Sequence, residues 1–240
     1  MRRVDAIQTR SIIDDGAERT RNNEISRKTR GEKNWPYYTT DAIVYFNERI
    51  GWLDTFESAF PGTLDEVKSM YKHAGQKAVY VDMCGVASGL SLGAPRSVSL
   101  TLERPKMGLV TDASQKVLLG NVLERRSIRM LVSTIKDMGG VPIVCTMMPG
   151  GGFSDFEKGG KVESRHVVFT QLLQSIAYMC KHQPPGSLFL AQNPFSGRLS
   201  PEWMRIAEEY FRAQGGEGYE ITWGISKLER SMLRIRTPRL

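Results

Sequence analysis

Residues Val79 to Gly89, which read Val-Tyr-Val-Asp-Met-Cys-Gly-Val-Ala-Ser-Gly, constrain the fold of this chain more than any other stretch. A short apolar run without alternation is the pattern of a strand buried on both faces, as in a parallel sheet flanked by helices. It ends on an acid, Asp82, and a turn of small residues that contains Gly85 and Gly89. Glycine lets the backbone bend sharply there and lets a ligand approach without a Cβ in the way. A second apolar strand, Val98-Ser99-Leu100-Thr101-Leu102, ends on Glu103, 21 residues after Asp82. In this strand–turn–helix–strand–acid order, an acid about 20 residues beyond a glycine turn is how nucleotide-binding α/β folds hold ribose hydroxyls.

The rest of the chain supplies further units of the same kind. Asp41 to Ile50 has apolar residues at helical spacing behind an Asp N-cap, and Pro61-Gly62-Thr63 breaks the chain before a helix from Leu64 to His73 with Thr63 as its cap. A third strand is expected over Lys116 to Leu123 with Asn121 at its carboxyl end, although Asn121 fits a turn equally well. Residues 124–138 are amphipathic, with Ile128, Leu131, Val132 and Ile135 on one side, and Gly139-Gly140 ends that helix. Val141 to Thr146 forms the fourth strand, followed by a glycine-rich loop from Met147 to Gly152 and a long helix over 163–181. Pro184-Pro185-Gly186 stops it before the fifth strand, Ser187 to Gln192, and Pro201 opens a helix to Gln214. The last two strands, 219–225 and 231–236, are too close in sequence for a helical crossover and should pair antiparallel. Five strand–helix units and a hairpin predict an α/β fold: a doubly wound Rossmann-like sheet with a C-terminal antiparallel hairpin.

A chain of 240 residues fits one such domain, from residue 35 to 240, behind an N-terminal extension. No apolar run approaches the length of a membrane span, and the basic start lacks the apolar centre of a signal peptide. Cys84, Cys145 and Cys180 are far apart and lie in or beside apolar strands and helices, as small buried hydrophobes do. His73, His166 and His182 have no ligand spacing to them or to one another, so no metal site is expected. The net charge of +7 fits a phosphate-rich partner, because lysine and arginine release counterions when they bind a nucleic acid. Basic residues are dense in residues 1–34, with Arg2, Arg3, Arg10, Arg19, Arg21, Arg27, Lys28, Arg30 and Lys33, beside Asp5, Asp14, Asp15, Glu18, Glu24 and Glu32 and few large apolar residues. Such a segment is expected to be a mobile arm.

From about residue 41 to 236 the order and spacing of these pieces resemble class I S-adenosylmethionine-dependent methyltransferases. The branch they are most similar to is the FtsJ-like (RrmJ-type) RNA 2′-O-ribose methyltransferases. The resemblance rests on Asp82 to Gly89, Glu103, Asn121, the loop Thr146-Met147-Met148-Pro149-Gly150, the long helix, Pro185-Gly186-Ser187 and Leu188 to Gln192. It implies S-adenosyl-L-methionine as cofactor, RNA as partner, and a cofactor site made of Asp82, Cys84, Gly85, Ala87, Gly89, Glu103, Asn121 and Thr146. In that site the Gly85–Gly89 turn would pass under the methionine end, with Asp82 near its amino group. Glu103 would accept hydrogen bonds from the two ribose hydroxyls, and Asn121 would meet the adenine edge.

The family's lysine–aspartate–lysine–glutamate tetrad, whose lysine deprotonates the ribose hydroxyl, has no counterpart here. Its positions fall near Asn47, Thr146, Gln192 and Ser231, with Glu229 close to the last. The resemblance therefore implies a divergent methyltransferase acting on RNA with no assigned catalytic residue. The alternatives are an inactive RNA- or cofactor-binding protein and a methyltransferase for a small molecule or protein. A separate motif, Asn193-Pro194-Phe195, is similar to the loop that amino-methyltransferases use to hold an amine, but it follows the fifth strand where theirs follows the fourth. Asn-Pro is also a common turn starter.

Overall fold

The computed structural model describes residues 53–85, 92–101, 114–148, 162–195, 197–215 and 218–238. Chain order is α1 (Leu53–Ala59), α2 (Thr63–Ala74), β1 (Ala78–Asp82), β2 (Arg96–Thr101), β3 (Gln115–Leu119), α3 (Arg125–Asp137), β4 (Val141–Met147), α4 (Val162–His182), β5 (Leu188–Gln192), α5 (Pro201–Gly215), β6 (Glu220–Ile225) and β7 (Ser231–Arg236). The arm, the boundary at residues 34 and 35, the helix expected over 41–50, and Ala87, Gly89 and Glu103 lie outside the described residues.

The strands form a single sheet of order β3-β2-β1-β4-β5-β7-β6. β1 to β5 are all parallel, and β7 runs antiparallel to both β5 and β6. Sequence order reverses between β1 and its neighbour β4, and at such a switch point the loops leaving the two strands diverge and open a crevice. This is the doubly wound Rossmann-like sheet expected from the sequence, with the antiparallel hairpin at its carboxyl end.

Alternation divides the strands between two cores. Val79, Val81, Val98, Leu100, Cys145, Phe189 and Ile235 pack under α3, α4 and α5, against Ile128, Leu131, Leu172, Ile176, Ala207 and Phe211. Ala78, Tyr80, Val144, Leu188, Leu190 and Met232 pack under α1 and α2, against Phe56, Val67 and Tyr71. An ion network clamps the second face at its far side: Arg234 donates to Glu66 of α2 at 2.7 Å, and Arg236 pairs with the same carboxylate.

Two local expectations are corrected. α2 is not capped by Thr63, whose hydroxyl instead donates to the carbonyl of Phe60 at 2.6 Å. Glu57 of α1 does the capping, accepting from the backbone N–H groups of Gly62 at 2.7 Å and Leu64 at 2.8 Å, while Gly62 takes the left-handed conformation (φ 88°). β3 stops at Leu119 rather than Leu123, because Asn121 folds the chain into α3: its Oδ1 accepts from Leu123 N–H at 2.9 Å. The helix expected between β1 and β2 falls within residues 83–95, of which 86–91 lie outside the described residues. The strand–helix alternation is thus seen from β3 onward.

Candidate functional site

The carboxyl ends of β1 and β4 carry the candidate site. Asp82 ends β1 and is 1% exposed, and its register partner on β4 is Thr146. Alternation turns both toward the α1–α2 side, the face that also takes Tyr80. The Tyr80 and Thr146 hydroxyls lie 2.8 Å apart, and Thr146 also reaches the carbonyl of Val81 at 3.4 Å. Burial first, and then the Asp82 charge, push the Tyr80 phenol far above its ordinary value, so it stays protonated at any physiological pH.

Beyond Asp82 the chain turns back over the carboxylate. Oδ1 accepts from Cys84 N–H at 3.2 Å, and a Cβ on Gly85 would come within 2.5 Å of Oδ2. No side chain fits at position 85 while Asp82 keeps this place. Met83 N–H donates to the Thr146 carbonyl at 2.8 Å, which locks the start of the turn to β4. Cys84 lies in the turn, and burial followed by the Asp82 charge raises its thiol well above the ordinary range. It is therefore a poor thiolate at neutral pH.

Two strands away, Asn121 is 7% exposed, and its backbone N–H donates to Ser127 Oγ at 3.1 Å. One lone pair of its Oδ1 holds Leu123, which leaves the second lone pair and both Nδ2 protons without a partner among the described residues. Gly120 is needed beside it, since a Cβ there would meet Ser127 Oγ at 2.7 Å. The structure thus brings Asp82, Cys84, Gly85 and Thr146 together, and sets Asn121 at the same edge of the sheet.

Polar groups at the β5 and β7 ends are arranged differently. Ser231 is fully buried, and its Oγ accepts from Leu199 N–H at 2.9 Å while its carbonyl accepts from Asn193 N–H at 2.9 Å. Asn193 donates through Nδ2 to Gly197 O at 2.9 Å and accepts at Oδ1 from Phe195 N–H at 2.9 Å, so both ends of its amide hold its own loop. That is the turn-forming role of Asn-Pro, not that of an amine-holding loop. Glu229 sits at the hairpin corner with φ 57° and is tied to Arg198. Gln192, 3% exposed, has no side-chain partner among the described residues. Asn47 lies outside them. Sequence reasoning missed Tyr80, which holds Thr146 across 66 residues of chain. The available signal was a hydroxyl-bearing residue in an otherwise apolar strand.

Among the described residues no group of acids, histidines and cysteines could hold a metal ion, and no helix is long and apolar enough to cross a membrane. No family model matches the sequence, and no curated protein matches it. Solved structures similar to the chain include a Plasmodium falciparum protein assigned as a ribosomal RNA methyltransferase, at 11% identity and a TM-score of 0.45 over 74% of this chain and 95% of that one. An O-methyltransferase family protein from Burkholderia thailandensis is 12% identical, with a TM-score of 0.44 over 95% and 72% of the two chains. A Streptococcus mutans protein assigned as an S-adenosylmethionine-dependent methyltransferase is 10% identical, with a TM-score of 0.40 over 72% of this chain, which spans only 48% of its length. The strand order of the sheet itself, not these distant likenesses, makes the chain a Rossmann-like α/β fold.

Proposed function

We propose that the chain is a divergent FtsJ-like methyltransferase that binds S-adenosyl-L-methionine at the carboxyl ends of β1 to β4 and acts on RNA. The observation that carries this reading is the Asp82–Gly85 turn at the β1–β4 switch point. A buried carboxylate is wrapped by a turn that a Cβ would obstruct, where open α/β sheets take their ligands. These residues fit the cofactor. Asp82 is a partner for its ammonium group, and the free positions of the Asn121 amide match an adenine edge, which offers both a donor and acceptors. Ala87, Gly89 and Glu103 complete the site in this reading, with Glu103 as acceptor for the ribose hydroxyls.

S-adenosylmethionine supplies a methyl group activated by its sulfonium sulfur. The protein's part is to hold the accepting atom in line with that methyl and to keep water out. Thr146, Gln192 and Ser231 provide no base at neutral pH, and the nearby Glu229 carboxylate is engaged by Arg198. Catalysis therefore rests on positioning, and the absence of a base at these three positions equally favours a second reading, a domain that binds cofactor or RNA without transfer. The RNA assignment is supported by the net charge of +7 and by the density of arginine and lysine in residues 1–34.

Calorimetry with S-adenosylmethionine and S-adenosylhomocysteine tests the cofactor assignment: binding is expected, and none at millimolar concentration overturns it. RNA affinity is expected to fall steeply with salt, and deletion of residues 1–34 should weaken it and flatten the salt slope. An arm deletion without effect at any salt concentration removes RNA from the reading.

A further inference from the structure

On the opposite face of the sheet from Asp82 and Thr146, helices α3, α4 and α5 leave a groove of about 330 Å³, at the small end of cavities that hold a whole small molecule. Its floor is a stripe of α4 that includes Gln171, Tyr178 and Lys181, with Arg125 of α3 on one side and Tyr210 and Gln214 of α5 on the other. Gln171 is 6% exposed, and its Nε2 is buried with no acceptor among the described residues. Such an orphan is costly unless something fills the need. Neither tyrosine hydroxyl has a partner among the described residues; burial raises the Tyr210 phenol, so it remains a donor, and His182 holds the Tyr178 ring edge-on at 4.7 Å.

Arg125 and Lys181 bring positive charge to the groove. Among the described residues Arg125 has no carboxylate partner, and Lys181 donates only to the Gln214 amide oxygen, at 3.3 Å. The first turn of α3 holds Arg125 and Arg126, with Glu124 at the N-cap accepting from Ser127 Oγ at 3.4 Å. Arg129 and Lys136 extend the same exposed side of α3.

We propose that this groove is a nucleotide site: Arg125 and Lys181 hold phosphate, the Tyr178 and Tyr210 rings flank the base, and Gln171 reads an acceptor on it. The cations by themselves would suit any acidic ligand. The two aromatic rings and the orphan amide select a flat, hydrogen-bonding group beside the charge. The ligand is a free nucleoside phosphate or one unit of a single-stranded RNA, and the site is independent of the cofactor site proposed above.

The test uses the full chain with excess S-adenosylhomocysteine present, so that the strand-end site is blocked. Adenylate, uridylate, a uridylate pentamer and inorganic phosphate are titrated, and a 5-bromouridylate pentamer is photocrosslinked and the attached peptides mapped. Expected are nucleotide binding tighter than phosphate, crosslinks within residues 171–182 or 205–214, and a loss of roughly tenfold on Tyr178→Ala. Lys181→Ala should weaken binding and flatten its salt dependence. Gln171→Leu should weaken binding while raising Tm, a pairing that a merely structural glutamine would not give. Tighter binding of the pentamer identifies RNA as the source, and equal binding identifies the free nucleotide. Failure of all nucleotides to bind at millimolar concentration overturns the proposal. So does phosphate binding as tightly as adenylate, or crosslinks confined to residues 79–85 and 141–148, at the ends of β1 and β4.

Discussion

Two polar sites on the sheet's carboxyl edge, Asn121 after β3 and the Asn193–Ser231 pair after β5 and at β7, use buried polar groups in opposite ways. Beyond β3, Asn121 keeps amide protons without a partner among the described residues, while at the end of β1 the Asp82 carboxylate holds Cys84 N–H beneath the turn at Gly85. At β5 and β7, Ser231 and Asn193 satisfy the loop that follows β5, through Leu199, Phe195 and Gly197. Both sites are rich in polar side chains, and sequence inspection treats them alike. What separates them is who receives the hydrogen bonds. A polar group already engaged by its own backbone serves structure, because a buried donor left behind by its loss costs about 1–3 kcal/mol. A group whose partners are missing is available to a ligand.

The largest expected effect tests the β5–β7 site. Ribose 2′-O-methylation should be absent or slower by about 10²–10⁴-fold than a lysine base would allow, since general acid–base help has that worth. Mass spectrometry of capped and uncapped RNA after incubation reads this directly. Robust transfer that persists after Lys28 and Lys33 are both replaced by alanine would show that a base stands elsewhere, and the contrast between the sites would collapse.

Next comes a paired substitution. Gly85→Ala should weaken S-adenosylhomocysteine binding by on the order of a hundredfold, because the Asp82 carboxylate or the turn must move by about an ångström. Ser231→Ala should leave that binding unchanged and lower stability in urea by about 1–3 kcal/mol, as Leu199 N–H loses its acceptor. Equal effects of the two on binding would abolish the distinction drawn between the strand ends.

A smaller effect is expected of Glu103→Ala, about 1–3 kcal/mol of cofactor affinity through two lost charge-assisted hydrogen bonds. Unchanged calorimetric affinity would remove Glu103 from the site. The smallest concerns Cys84. Burial and then the Asp82 charge hold its pKa up, so Asp82→Asn lowers that pKa and enlarges the thiolate fraction at a given pH. Iodoacetamide should label Cys84 a few times faster at pH 8 in this variant, and S-adenosylhomocysteine should protect Cys84 in the unmodified protein. Peptide mapping separates it from the buried Cys145 and Cys180.

Sequence patterns located the long elements well because their signals are local. The amphipathic stripe of α3, the unbroken apolar runs of β1 and β5, and the proline and glycine stops around α4 each act over a few residues. Errors fell where a distant group decided a local question. Thr63 has the side chain of an N-cap, but Glu57, one turn back on another helix, reached the free N–H groups first. Lys116 to Leu123 has the composition of one long strand, but Asn121 closes a turn onto Leu123 and ends it early. Asp82, Gly85 and Thr146 were legible as site candidates from strand-end position. Tyr80 was not, because its role exists only once β1 and β4 are neighbours.

By itself, the sequence located the seven strands, the helices α2 to α5 and the doubly wound class of the sheet, but not α1 at Leu53–Ala59. Apolar periodicity and short connections leave few other topologies. It also determined that no acid or lysine stands at Thr146, Gln192 or Ser231. Tertiary structure alone decided which polar residues remain available. Hydrogen-bond satisfaction depends on groups far apart in the chain, as with Ser231 and Leu199 or Thr146 and Tyr80. The groove along α4 has the same origin: three helices drawn from three separate segments meet around Gln171, and no one of them carries the site in its own pattern.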